Sequence, residues 1–319
     1  MATITVLTSC FCGEKYLSLF LKNLAEQTIF HDVVTILVMN EPTVSETQLV
    51  EEFQKQHPGR VLVEIVRPVE SLSASWNRAW KLATTPYVCI WNIDDYRTPN
   101  SLELQVQTFQ KNPQAELVYG DFGIASSVGG PLQQRIETLL FEREEFSRSF
   151  ILGPFFMWRP EIAEKTGYFD EQLASGADFD LAVRITLNDI IQVRAEGLLG
   201  SFTNMASGLS TSGALQPIER TVIELRYGIF DKLDYDFIPK TVVYNVPHLL
   251  QFGEWVPIKN FVPEYGVLLE SRTREWFEVG IAQYVAQREQ KHRALTPLYQ
   301  SLEKARRLPR RIKRKLLGK

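Results

Sequence analysis

Two adjacent carboxylates, Asp94 and Asp95, end the stretch Thr85-Pro-Tyr-Val-Cys-Ile-Trp-Asn-Ile-Asp-Asp, whose residues from Tyr87 onward are apolar enough for a sheet interior. Carboxylates at such a place are costly unless a cation, a ligand or water meets them. In open α/β sheets the carboxyl ends of the strands are where ligands bind. The pair is therefore a candidate holder of a divalent ion and, through it, of a phosphorylated ligand. The same residues also admit a plainer reading, a solvated Asp-Asp turn before Thr98-Pro99-Asn100, which would cap the next helix.

The elements that must place this pair follow from hydrophobic periodicity. Ile4–Thr8, Val33–Met39, Val61–Val66, Tyr87–Ile93 and Glu116–Tyr119 read as strands. Between them, 15–27, 44–57, 71–83 and 102–111 read as helices, the first placing Leu17, Phe20, Leu21 and Leu24 on one face. Repeated βα units predict a mostly parallel central sheet flanked by helices, with a nucleotide-sized site along its strand exits. After Gly120 the pattern loosens. Ser126–Gly130 reads as a small-residue loop, 138–149 as a charged helix and 153–158 as a short strand. A helix opening on Pro160 follows, and another begins at Asp178–Asp180 and runs to about Leu187. The expected organisation is a nucleotide-binding domain over 1–215, a helical, aromatic-rich extension over 216–303 and a basic tail over 304–319.

Composition narrows the function classes. The net charge of −3 gives no reason to expect nucleic acid as a partner. Three cysteines, Cys10, Cys12 and Cys89, cannot form a disulfide framework, which suits a reducing cytosol. No zinc-type spacing of Cys and His occurs, no signal-peptide pattern opens the chain, and no apolar run reaches the ~20 residues of a membrane span. Lys304–Lys319 holds nine Lys or Arg and no acid, with Leu308, Ile312 and Leu316 four residues apart. It could lie on an anionic membrane surface from the cytoplasmic side or remain a solvated tail.

Four segments in order resemble family 2 of the nucleotide-sugar glycosyltransferases. They are Val6-Leu7-Thr8-Ser9-Cys10 with Glu14-Lys15-Tyr16-Leu17 and Gln27-Thr28; Ile36-Leu37-Val38-Met39-Asn40-Glu41; Leu72-Ser73-Ala74-Ser75-Trp76-Asn77-Arg78-Ala79 leading to Asn92-Ile93-Asp94-Asp95; and Phe156-Met157-Trp158-Arg159 through Gly167-Tyr168-Phe169-Asp170-Glu171 to Gly176-Ala177-Asp178-Phe179-Asp180-Leu181 and Arg184. The resemblance covers about residues 3–190 and implies a GT-A fold and an inverting transfer from a nucleotide-sugar, UDP-sugar first, to a saccharide or lipid-linked hydroxyl. Bacterial surface-polysaccharide assembly is the pathway it suggests.

On that resemblance Asp94 and Asp95 are the ligands of Mn²⁺ or Mg²⁺, with Asp95 also a ribose contact, and Asp178 is the catalytic base. Thr8 and Asn40, at two strand ends, are candidate contacts to the nucleotide base, with strand-end capping as their ordinary alternative. Arg67 and Asn77 are candidate diphosphate or ribose contacts, with Arg78 beside them. For Asp178 the ordinary alternative is a helix N-cap, a role Asp180 could fill equally while pairing with Arg184. The chain departs from the family pattern at Asn92, Met39, Cys10-Phe11 and Ala177, and Ser201–Thr211 offers no histidine for a metal. These departures support a second reading, a non-catalytic binding or scaffolding member. A sugar-phosphate nucleotidyltransferase is disfavoured, because Ser9–Glu14 carries one glycine and no basic residue. The aromatic C-terminal third would cover an acceptor groove or a homodimer interface.

Overall fold

A computed structural model describes residues 2–204, the helical positions Gln216, Glu219, Arg220, Ile223, Glu224 and Tyr227, and the backbone of 248–251 and 254–257. The remainder of the expected extension and all of the basic tail lie outside the described residues.

The first strand, β1 (Ile4–Cys10), is buried almost throughout, and so is β2 (Val33–Asn40). With β3 (Val61–Val66) and β4 (Tyr87–Ile90) they form a parallel block in the order β3-β2-β1-β4. Their carboxyl ends therefore share one edge. The sheet continues through β8 (Met157–Trp158), which runs antiparallel between β4 and β6 (Leu117–Ala125). Beyond β6 lies β9 (Gln192–Thr203), parallel to it, and then β5 (Tyr96–Arg97), antiparallel to β9. A short β7 (Leu132–Ile136) pairs with the outer part of β6. Two reversals through β8 return β6 and β9 to the direction of β4, so Thr203 exits on the same edge as Asp94.

Alternation of side chains along the strands builds two cores. One face packs α1 (Leu17–Ala25), α2 (Val44–Gln56) and α4 (Ser101–Lys111) against Val6, Leu37, Met39 and Cys89. The other packs α3 (Leu72–Leu82) and α7 (Ala177–Leu187) against Leu7, Ile36, Val38 and Ile90. Full burial of each large apolar side chain contributes roughly 1.5–3 kcal/mol, and these layers fix the edge rigidly. Trp158 and Phe156, stacked at 5.0 Å, belong to the second core. No helix among the described residues is long and apolar enough to cross a membrane.

Several elements differ from expectation. The fourth strand stops at Ile90 because Asn92–Asp95 turns back, with the Asp95 N–H bonded to the Asn92 carbonyl at 3.1 Å. The charged segment forms only α5 (Arg143–Arg148), and α6 (Ala163–Thr166) follows a 3-10 turn at Pro160–Ile162. The strands β7 and β9 have no strand-like period. In β9 Gly197, with φ +107°, and a register shift against Gly120 and Asp121 interrupt the alternation. Asp121 lies buried in β6 and binds Arg135, Arg194 and Thr138.

Candidate functional site

The acidic pair divides into two unlike groups. Asp95 is buried. Its Oδ1 accepts the Thr203 N–H at 3.1 Å and its Oδ2 accepts the Asn92 amide at 3.3 Å. Burial, and next the charge of Asp94, push its carboxyl up to about 8. Asp94 is only half-buried, and burial raises its proton affinity as well. Below them Arg97 is fully buried, donating to Gln105, Ser101 and the Ile90 carbonyl and lying over the rings of Trp91 and Phe155. Its charge partly offsets that of Asp95. Asn23 clamps the backbone of Arg97 from both sides, at 2.9 Å each. Nothing in the sequence around Tyr96-Arg97 signals this buried cation.

Three buried polar atoms near the strand exits have no hydrogen-bond partner among the described residues: Thr8 Oγ1, Asn92 Oδ1 and Thr203 Oγ1. Buried polar atoms are nearly always paired, and leaving one unpaired costs about 1–3 kcal/mol. Two of the three sit on the residues that hold Asp95. Orphaned acceptors beside two charge-burdened carboxylates fit a cation or a ligand hydroxyl.

Other expected contacts resolve differently. Asn40 is bonded within the fold: its amide protons go to Ser9 Oγ (3.3 Å) and Ser75 Oγ (3.0 Å), and its Oδ1 accepts the Glu70 N–H (2.9 Å). It ties β2 to the loop before α3. Asn77 is likewise bonded within the fold. It donates to the Phe169 carbonyl (2.8 Å) and Glu171 (2.9 Å) and accepts the Phe169 N–H (2.9 Å), buried on α3. Arg78 forks onto Glu70 at 3.0 and 2.8 Å. Arg67 is exposed at the exit of β3, where a ligand could reach it.

Bonds of this kind also position the segment that leads into α7. Ser71 and Ser73, in the first turn of α3, donate to the carbonyls of Glu171 and Leu173. With Asn77 they moor residues 169–173 to the same edge, and Asp178 follows in the first turn of α7. Gly176, not Asp178, is the N-cap, and it has no side chain with which to cap. Asp180 is committed inward to Arg184 (2.7 Å) and Tyr227 (2.9 Å). Asp178 is half-buried, and its Oδ1 accepts the Phe179 N–H at 2.7 Å. Burial pushes its carboxyl up to about 6, with Glu219 adding to the rise. A proton acceptor tuned toward neutrality suits general-base work.

The loop after β1 is braced by a residue not anticipated as functional. Glu46 is buried and accepts the Gly13 N–H at 2.5 Å and the Thr43 N–H at 2.8 Å. Its signal was present in the Thr43-x-x-Glu46 capping box. A Cβ at Gly13 would stand 2.7 Å from Ile93 Cδ1, so this loop packs directly on the acidic turn.

The class is a GT-A fold with an acidic turn at a strand exit. The profile of Glycosyl transferase family 2 matches residues 5–168, and the chain belongs to that family. It is 25% identical over 181 residues to "Uncharacterized glycosyltransferase MJ1057" of Methanocaldococcus jannaschii, covering 55% of this chain and 61% of that protein. The chain thus spans about three-fifths of the length of this relative. Among solved structures, residues 1–349 of S. aureus TarS, in complex with UDP-GlcNAc, match with TM-score 0.56 and 18% identity, over 70% of this chain and 64% of that one. The mannosyltransferase PcManGT of Pyrobaculum calidifontis, in complex with GDP-Man and Mn²⁺, matches with TM-score 0.50 and 13% identity, over 94% and 79%. At these identities the two structures speak for the fold.

Proposed function

We propose that the chain is an inverting, metal-dependent glycosyltransferase that moves a sugar from a nucleotide diphosphate, UDP first, to a hydroxyl acceptor. The observation that carries this is the division of labour at one sheet edge. A partly exposed Asp94 sits at the exit of β4, and Asp178, free of any ion pair among the described residues, is moored to the same edge through α3. Mn²⁺ or Mg²⁺ suits the donor set. Such ions are commonly bound through one or two carboxylates plus substrate phosphates, and no cluster of three ligating side chains occurs among the described residues. Asp94 would hold the ion, which when bound neutralises charge on the departing diphosphate.

The protein's own groups do the rest. Thr8 Oγ1 and Arg67 are the donor-side contacts still available, the first to the nucleotide and the second to its phosphates. Asp95 and Arg97 orient the turn that presents Asp94. Asp178 takes the acceptor's proton as the hydroxyl attacks the anomeric carbon from the side opposite the leaving group, which inverts that centre. The bound UDP-GlcNAc and GDP-Man of the two structural neighbours make those the first donors to try. A hydrolysis screen across UDP-, GDP- and dTDP-sugars tests the reading. Release of nucleoside diphosphate that disappears in Asp178→Asn supports it, and turnover unchanged by that substitution refutes the base.

A further inference from the structure

Glu219 reaches in from the helical positions beyond the sheet, and its buried carboxylate lies against the loop that delivers Asp178. Its Oε1 accepts the Ala174 N–H at 2.9 Å, and its Oε2 accepts those of Ser175 at 2.8 Å and Gly176 at 2.6 Å. These three residues lead into α7. Gly176 has no side chain with which to cap α7, and Glu219 satisfies the backbone donors of the loop that leads into the helix, not those of its first turn.

Neighbouring positions hold the same helix end. Ile223 is fully buried in the α7 core, the Arg220 guanidinium lies 4.0 Å from the centre of the Phe179 ring, and Tyr227 donates to Asp180. A Cβ at residue 176 would come within 2.9 Å of Ile223 Cδ1 and 3.3 Å of Glu219 Oε2. Glycine is therefore what lets the two segments approach.

Two acids of these elements are paired among the described residues. Asp180 pairs with Arg184, and Glu224 with Arg220. Asp170 lies close enough to Glu219 to raise the latter's proton affinity, after the larger effect of burial, while the three N–H donors favour the ionised form. Among the described residues Glu219 adds, after burial, to the raised proton affinity of Asp178. It opposes the helix N-terminus, which by itself would favour the ionised carboxylate.

We propose that Glu219 is a positioning residue for Asp178, locking the Ala174–Gly176 loop and holding a negative charge against the base. This rests on the assignment of Asp178 above. Two substitutions separate the two effects. Glu219→Gln keeps an acceptor for the loop but removes the charge. Its expected signature is an unchanged UDP affinity by titration in Mn²⁺, a fall of about tenfold in UDP release from UDP-GlcNAc, and an acid limb of the rate profile moved to lower pH. Independently of any donor, ¹³C NMR should show the Asp178 carboxyl titrating at lower pH than in the parent. Glu219→Asp keeps the charge but withdraws it from the loop, so turnover should fall with the acid limb in place. An Asp178 titration unmoved by Glu219→Gln overturns the electrostatic role. If Glu219→Gln does not fold, full turnover in Glu219→Asp overturns the positioning role. Asp178→Asn measured in parallel distinguishes failures: retained turnover there removes the base itself, whereas loss there with an unaffected Glu219→Gln removes only this inference.

Discussion

The backbone N–H of Thr203, the last residue of β9, donates to Oδ1 of Asp95 across 108 residues of sequence. This bond ties the far strand of the sheet to the turn after β4. It also separates two carboxylates that look equivalent in the sequence: Asp95 is buried and bonded into the framework, and Asp94 is half-buried beside it.

Neutralising Asp95 should therefore be tolerated. In Asp95→Asn a carbonyl oxygen can still accept the Thr203 N–H, and Asn92 can turn its unpaired Oδ1 toward the new amide. Because burial and Asp94 already push this carboxyl up to about 8, the substitution removes an unfavourable charge. Thermal unfolding in EDTA should give a Tm equal to or above that of the parent. A fall of about 5 °C or more, which is on the order of 1–2 kcal/mol, would show that the charge itself holds the fold.

The same carboxyls set the pH dependence of stability. Asp95 and Asp178 have folded-state pKa values of about 8 and about 6, both above the ordinary 3.8. Between that value and the raised ones the folded chain binds protons that the unfolded chain does not, so stability falls as pH rises. Asp121 and Glu116 are shifted downward by their cationic partners and act only in more acidic solution. Metal-free protein should thus gain Tm on acidification from pH 8 to about 5, where the unfolded chain is still ionised. The stabilisation by added Mn²⁺ should be larger at pH 8 than at pH 6. A metal-free Tm that rises steadily from pH 5 to pH 8 would contradict the raised proton affinity of Asp95 and Asp178.

Asn77 offers a test of the acceptor-side mooring. Asn77→Ala removes three hydrogen bonds to Phe169 and Glu171 and leaves buried backbone groups unpaired, which costs about 1–3 kcal/mol. A Tm loss of about 2–4 °C per kcal/mol is expected. Turnover should fall while UDP affinity holds, because the tie supports residues 169–178 and not the donor pocket. A selective loss of UDP affinity would return Asn77 to the nucleotide site.

Much of this arrangement was legible in the sequence, for physical reasons. The strands β1, β2 and β4 are largely apolar runs buried on both faces, β3 at the sheet edge is apolar but partly exposed, and Ser71 and Thr43 announce their helices by capping chemistry. The acidic pair stood out because carboxylates are anomalous after such a run. What was not legible depends on pairing at a distance. Asn40 and Asn77 lie where ligand contacts could be, and only the fold shows their amides turned to Ser75 and Phe169. Glycine and charge in β9 conceal its period. Arg97 and Glu219 carry no local signal, since each takes its meaning from backbone groups brought to it by other elements.

The central claim is that Asp94 holds an ion through which a nucleoside diphosphate binds. Isothermal titration of UDP, with GDP in parallel, should be run with and without Mn²⁺ on the parent protein and on Asp94→Ala. The expected result is a gain of about tenfold or more in affinity with Mn²⁺, roughly 1.4 kcal/mol, that vanishes in Asp94→Ala. Binding that is indifferent to Mn²⁺ and unchanged by Asp94→Ala would contradict it.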